Sequence, residues 1–182
     1  MAKKDIAARV PPANQEAEQS VLGAILIDKD AIIKVADLLT AADFYHPSNA
    51  KIFEMMIELF EKHQPIDVLS VSNRLKERGI LKEVGGSSYL ADLTNGVPTS
   101  SHIAGYAKIV KEKKVLRDLI RVSADITEDV FSQPGEVEDL LDDVEQKIMA
   151  ISQKSMPQNL VHIKDELKTA YERIEKLHRG EG

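Results

Sequence analysis

Ser100 to Phe131 reads SSHIAGYAKIVKEKKVLRDLIRVSADITEDVF, and Gln133-Pro134-Gly135 separates it from VEDLLDDVEQKIMAI, Val137 to Ile151. The first stretch holds no proline and only Gly105 to weaken a helix, so it predicts one continuous helix of roughly 30 residues at about 1.5 Å rise each. In the second, Val137, Leu141, Val144, Ile148 and Ile151 recur at steps of 4, 3, 4 and 3, a heptad seam. Two long helices joined by a three-residue break make an αα-hairpin over 99–153, with Ile103, Tyr106, Val110, Leu116, Ile120 and Ile126 facing the seam or a partner. Two helices alone cannot hide that much apolar surface. The excess either packs on a second copy of the chain or folds back on the rest of it.

Toward the amino terminus the punctuation is denser. Pro11 and Pro12 close a polar tail (1–13), and Asn14 is a natural cap for a helix with Glu16 and Glu18 in its first turn and Ala17, Val21, Ala24 and Ile25 inside. Asp30 is placed to cap a second short helix carrying Ile32, Ile33, Val35, Leu38 and Leu39. Pro47 and Ser48 open a third with Ile52, Phe53, Met56, Ile57, Leu59 and Phe60. Asp67 caps a fourth containing Val68, Val71 and Leu75, which Gly79 ends, and Gly86 to Leu93 forms a fifth with Tyr89 and Leu90. Asn95, Gly96 and Pro98 mark a turn. The expected fold is therefore all-α: a compact head of five or six short helices (14–98), the hairpin (99–153), a linker (154–162) and a terminal helix (163–182) with Ile163, Leu167, Tyr171, Ile174 and Leu177 on one stripe.

Composition agrees with helices and narrows the function. Aromatic residues are only 4% of the chain, which suits helix-on-helix packing by Ala, Leu, Ile and Val. The absence of cysteine excludes a disulfide framework, a thiolate zinc site and a cysteine nucleophile. No apolar run approaches the roughly 18 residues of a membrane span, and Met1 to Arg9 lacks a signal-peptide core, so a cytoplasmic protein is expected.

Catalytic signatures are missing. None of the nine glycines precedes a lysine, so there is no GxxxxGK nucleotide loop; Gly85 and Gly86, followed by Ser87 and Ser88, are the nearest thing to a phosphate cradle and more simply permit a turn. HExxH is absent and Glu175 to His178 is the single Glu-x-x-His, so no metal is expected. An enzyme would have to be built on something like His46 beside Asp43 and Tyr45, and sequence neighbours do not make a site.

The net charge of −6 conceals two poles. Lys108, Lys111, Lys113, Lys114, Arg117 and Arg121 face only Glu112 and Asp118, whereas Glu128, Asp129, Glu136, Glu138, Asp139, Asp142, Asp143 and Glu145 surround the hairpin tip without an intervening base. The basic arm 108–121 permits a nucleic-acid-binding helical module as the alternative function. A bipolar hairpin suits steered protein contact better, because the acids would repel a phosphate backbone within about 8 Å.

Three stretches carry a resemblance: RVPPANQEAEQSVLGA from Arg9, GGSSYL from Gly85 and YAKIVKEK from Tyr106. Together with VLRDLIR from Val115 and IKDEL from Ile163, they resemble the amino-terminal region of bacterial replicative DNA helicases of the DnaB family. The resemblance implies a non-catalytic collar that pairs into dimers and a trimer of dimers within a hexamer. It implies a RecA-like motor, with its ATP and Mg, beyond Gly182, so this chain is expected to hold no cofactor and no unwinding activity. It implies DNA contact only weakly or through the full-length hexamer. The partners it implies are the primase DnaG and a helicase loader. Glu16, Tyr89, Arg117, Ile120 and Ile126 match the family's primase-docking positions. The stripe Ile163, Leu167, Tyr171, Ile174 and Leu177 is expected to dock on a motor domain.

Overall fold

A computed structural model describes residues 10–97, 99–132 and 135–155. Among these residues every regular element is helical. Helix α1 (Gln15–Ile27) starts where Asn14, in an extended conformation, accepts a hydrogen bond from the Ala17 amide at 2.9 Å. The next segment, Lys29–Lys34, is a 3-10 helix and is capped by Asp28, not Asp30. Asp28 is the extended residue that closes α1; its carboxylate accepts from the Asp30 amide at 3.0 Å and the Ser100 hydroxyl at 2.9 Å. Those two bonds, the Ser100 one foremost, hold its carboxyl below the usual range. The tighter winding also turns Ile33 outward while Ile32 stays buried.

A single 3-10 turn at Ala41–Asp43, closed by a Thr40/Asp43 capping box, leads to α2 (Pro47–Glu61), which has proline in its first turn. Asp67 caps α3 (Val68–Glu77) through the Ser70 amide at 2.7 Å. Gly79, at φ +74°, turns the chain after it as expected. Helix α4 is Gly86–Asn95. The expected head of short helices thus consists of four α-helices and two 3-10 segments.

Val21, Leu22, Ile25, Ile32, Ile52, Phe53, Met56, Val71, Leu75 and Leu90 form its core. Gly23 lets α1 lie directly on α4, since a Cβ there would overlap the Leu93 carbonyl oxygen and press on Val97. Glu58 on α2 ties the outer side to α3 by pairing with Arg74 and with Arg78 at 3.1 Å, and also pairs with Lys62 at the end of its own helix at 2.6 Å. Hydrogen bonds from Arg74 first and Lys62 next bring its carboxyl from the ordinary 4.5 to about 2.

Helix α5 (Ile103–Ser132) and helix α6 (Val137–Ser155) form the hairpin. At 30 residues, α5 is about 45 Å long and meets two partners in succession. Its first turns complete the head: Ile103 and Val110 are fully enclosed in the head core with Ala107, and Tyr106 packs against it. Ile103, Tyr106 and Val110 were expected to face the hairpin seam or a partner, and residue 98 to be the head's limit; the core instead runs across that limit, because α1 lies along the start of α5.

Beyond Val110 the main partner is α6, although Lys111 and Arg117 still reach the head at Asp43 and Pro12, and the inward side of α6 differs in part from the heptad stripe. Val144 and Ile151 face inward together with Leu140 and Lys147, while Val137, Leu141 and Ile148 are exposed. The reason is electrostatic as well as apolar. The Lys147 ammonium pairs with Asp129 of α5 at 2.6 Å and Asp143 at 2.5 Å, and these bonds, Asp129 first, raise its pKa. The pair with Asp129 fits an orientation of α6 in which Leu140, Val144, Lys147 and Ile151 face α5. Leu116, which the sequence assigns to the seam or a partner, is exposed on α5. Helix α6 runs to Ser155, two residues into the expected linker 154–162; residues 156–162 and the expected terminal helix 163–182, including Ile163, Leu167, Tyr171, Ile174 and Leu177, lie outside the described residues.

Candidate protein-docking surface

Two of the five proposed docking residues lie together. Glu16, in the first turn of α1, and Tyr89 of α4 line one groove of about 350 Å³ with Gln19, Ser20, Asp92 and Val97. The groove's position is fixed from beneath by a polar network. Glu18, only 2% exposed, accepts from the Tyr45 amide at 2.7 Å, the His46 amide at 3.3 Å and the Asn49 side chain at 2.9 Å. Asn49 in turn accepts from the Tyr89 hydroxyl at 2.7 Å, and that hydroxyl accepts from Gln19 at 3.2 Å. Every member is satisfied, so the network locks α1, the start of α2 and α4 into one arrangement. His46 gives α2 no side-chain cap; Glu18, reaching over from α1, supplies the negative charge that a helix start favours.

Arg117 is placed differently from the other docking candidates. It bonds to two backbone carbonyls, Pro12 at 2.8 Å and Asp43 at 2.5 Å, and lies over the Tyr45 ring at 5.6 Å from the centroid. Its neighbours on the basic arm are also engaged: Lys111 with Asp43, Lys114 with Asp118 and Arg121 with Asp125. Of the arm's six bases, three are ion-paired and Arg117 is held by two carbonyls, which leaves little continuous positive stripe for a nucleic acid.

The remaining candidates lie on the hairpin. Ile120 is 54% exposed and Ile126 half-buried. Ile120 belongs with Leu116, Leu119 and Val130 to an exposed apolar side of α5, and Val137 (69%), Leu141 (62%) and Ile148 form its counterpart on α6. In both helices these residues are rotated from the inward side in the same sense of chain direction. Because the helices run antiparallel, the two apolar sides come to the same broad face of the hairpin. Phe131, 85% exposed, stands at its tip.

Small-molecule chemistry finds no comparable support. The Gly85 and Gly86 amides donate to Lys82 and Leu81 carbonyls, Ser88 bonds back to Gly85, and Ser87 pairs with Ser72, so this glycine pair closes a turn and does not fit a nucleotide phosphate. Asp43, the proposed partner of His46, is buried and spends its carboxylate on Thr40 and Lys111. His46 instead meets the Tyr45 ring edge-on. Among the described residues no cluster of three or more His, Asp or Glu is placed to hold a metal, and no helix is long and apolar enough to cross a membrane.

Sequence reading missed Glu18, Asn49 and Asp43 as buried polar groups. For Glu18 a signal existed: it lies between Ala17 and Val21 on the side of α1 that carries the core. Leu119, Met149 and Phe131, all exposed, extend the bare hairpin surface and fall outside a strict heptad count.

These features define a class: an all-α domain in which a closed helical head carries a long hairpin with an uncovered apolar face. The chain belongs to the DnaB-like helicase N terminal domain family, whose model matches residues 10–112. It is 43% identical over 174 residues to the replicative DNA helicase DnaC of Bacillus subtilis (strain 168) and 40% identical to the replicative DNA helicase DnaB of Geobacillus stearothermophilus, covering 96% of this chain in each case. The chain spans 38% of the length of these two relatives. Among solved structures, the N-terminal domain of DnaB helicase from Mycobacterium tuberculosis matches with a TM-score of 0.73 and 34% identity, over 78% of this chain and 99% of that one. A DnaB-like replicative helicase described with its interactions with primase matches at 0.69 and 28% identity, over 90% of this chain and 36% of that one.

Proposed function

We propose that these residues form the assembly and docking domain of a replicative DNA helicase, joining copies of the chain through the hairpin face and receiving primase at the head and hairpin. The observation that carries this reading is the bare face itself. Leu116, Ile120, Leu141 and Ile148 stand uncovered on two adjacent helices in a molecule whose head core is closed, and patches of that kind mark protein contact. Pairing of two such hairpins gives a four-helix contact, and three pairs give the ring-shaped collar of a hexamer. The groove beside Glu16 and Tyr89, together with Ile120 and Ile126, is the primase surface in this reading; a structural relative is described with primase interactions. A helicase loader would be a second partner of the collar. ATP-driven unwinding then belongs to a motor domain of the longer protein, and the present residues supply assembly and docking to it.

Sedimentation over a range of concentrations, alone and with the carboxy-terminal domain of a primase, tests both halves. Concentration-dependent association and a mixed complex are expected. A chain that remains monomeric throughout and ignores the primase domain overturns the proposal.

A further inference from the structure

Resting on that docking reading, we propose that Arg117 is a positioning residue for the Glu16 groove and makes no contact of its own with the partner. Its guanidinium is already engaged within the chain: one nitrogen donates to the Pro12 carbonyl, another to the Asp43 carbonyl, and its carbon lies over the Tyr45 ring at 5.6 Å from the centroid. From there two routes converge on the first turn of α1. The short one runs through Pro12, two residues ahead of the Asn14 cap, and so fixes the direction in which the chain enters the turn that carries Glu16. The other runs through the 43–46 loop. Arg117 holds its start at Asp43, and the Tyr45 and His46 amides at its end donate to Glu18, two residues after Glu16. Helix α5 thereby sets the attitude of the α1 turn that lines the groove. A planar fork can span two carbonyls while its cation stays over a ring, which a single ammonium does not reproduce, so charge alone does not replace it.

The distinction between contact and positioning is measurable. Affinity for the primase carboxy-terminal domain, with a thermal melt of each protein, is to be compared for the full chain and for Arg117→Ala, Arg117→Lys, Glu16→Ala and the Arg117→Ala/Glu16→Ala double variant. Arg117→Ala is expected to weaken binding about tenfold, the scale of one charge-assisted hydrogen bond. Arg117→Lys should lose about as much despite its charge, and the double variant should bind no more weakly than Glu16→Ala alone, because coupled residues are not additive. Wild-type affinity in Arg117→Lys, or full additivity in the double variant, overturns the inference in favour of direct contact. Unchanged binding by Arg117→Ala at a lowered melting temperature overturns it in favour of a purely structural role. Should Arg117→Ala not fold, Arg117→Lys alone and combined with Glu16→Ala makes the same comparison. Wild-type affinity in Glu16→Ala removes the groove from the docking surface, and with it the assignment of Arg117.

Discussion

The head and the hairpin use similar residues and arrive at opposite surfaces. In the head, Phe53, Leu22, Ile25 and Met56 are enclosed from every side, and the buried polar groups Glu18, Asn49 and Asp43 all find partners. In the hairpin, two helices share one line of contact and leave Leu116, Ile120, Leu141 and Ile148 in water. A helix buried in a head is surrounded by several others, whereas a helix in an isolated pair has only one neighbour. Completing the hairpin therefore needs a further surface, and completing the head does not.

The head should fail when its tightest approach is forced apart. Gly23→Ala places a methyl against the Leu93 carbonyl, a rigid backbone group, and against Val97. Overpacking of this kind is expected to cost about 3 kcal/mol, read as a lower urea midpoint with an unchanged slope. If that midpoint does not move, α1 and α4 are not in the close contact described.

The hairpin should respond in the reverse manner. Leu141→Asp, or Ile120→Asp, adds a charge to a side chain that is already more than half exposed, so monomer stability should stay within about 0.5 kcal/mol. Self-association should weaken by about 2 kcal/mol, roughly thirtyfold in dissociation constant, because the charge must be desolvated when the face is covered. A stability loss without a change in association would mean that the exposed face is not the assembly surface.

The same contrast explains what could be read in advance. Asn14, Asp67 and Gly79 act through bonds or dihedrals within three or four residues of themselves, so their roles follow from local chemistry. The location of Glu16 and Tyr89 on a common groove does not, because they are brought together only when α1 packs on α4. The heptad count failed for a different reason. It found the apolar stripe of α6, but the stripe is divided between the inward side (Val144, Ile151) and the bare side (Val137, Leu141, Ile148), and a count of hydrophobic residues passes over Lys147, which reaches Asp129 of α5. In α5 one periodicity serves two partners, so Ile103 and Val110 could not be told from seam residues without knowing where α1 lies.

Acid should loosen the head by a route that spares the apolar core. Glu58 has its carboxyl lowered from 4.5 to about 2 by Arg74, Lys62 and Arg78, so protons bind the unfolded chain more readily than the folded one. Its contribution is fully present above the ordinary carboxylate range and is lost as the pH falls from about 4.5 through about 2. Urea unfolding of the wild type and Glu58→Gln should therefore differ at neutral pH and converge over that window. Curves separated by a constant amount at every pH would show that the cluster does not act through this carboxylate.

The smallest effect should come from Gly105, where the two regions join in one helix. A Cβ there meets nothing within 4 Å, and the residue lies in the first turn of α5, whose neighbours Ile103 and Ala107 are in the head core. Gly105→Ala removes backbone freedom from the unfolded chain without disturbing a contact, and should stabilise by about 0.5 kcal/mol. Because this turn closes the head, the gain should appear as a higher urea midpoint with no change in self-association. Stronger association in Gly105→Ala would instead mean that the start of α5 limits how the hairpin presents its bare face, and that head and hairpin are energetically coupled through the helix they share.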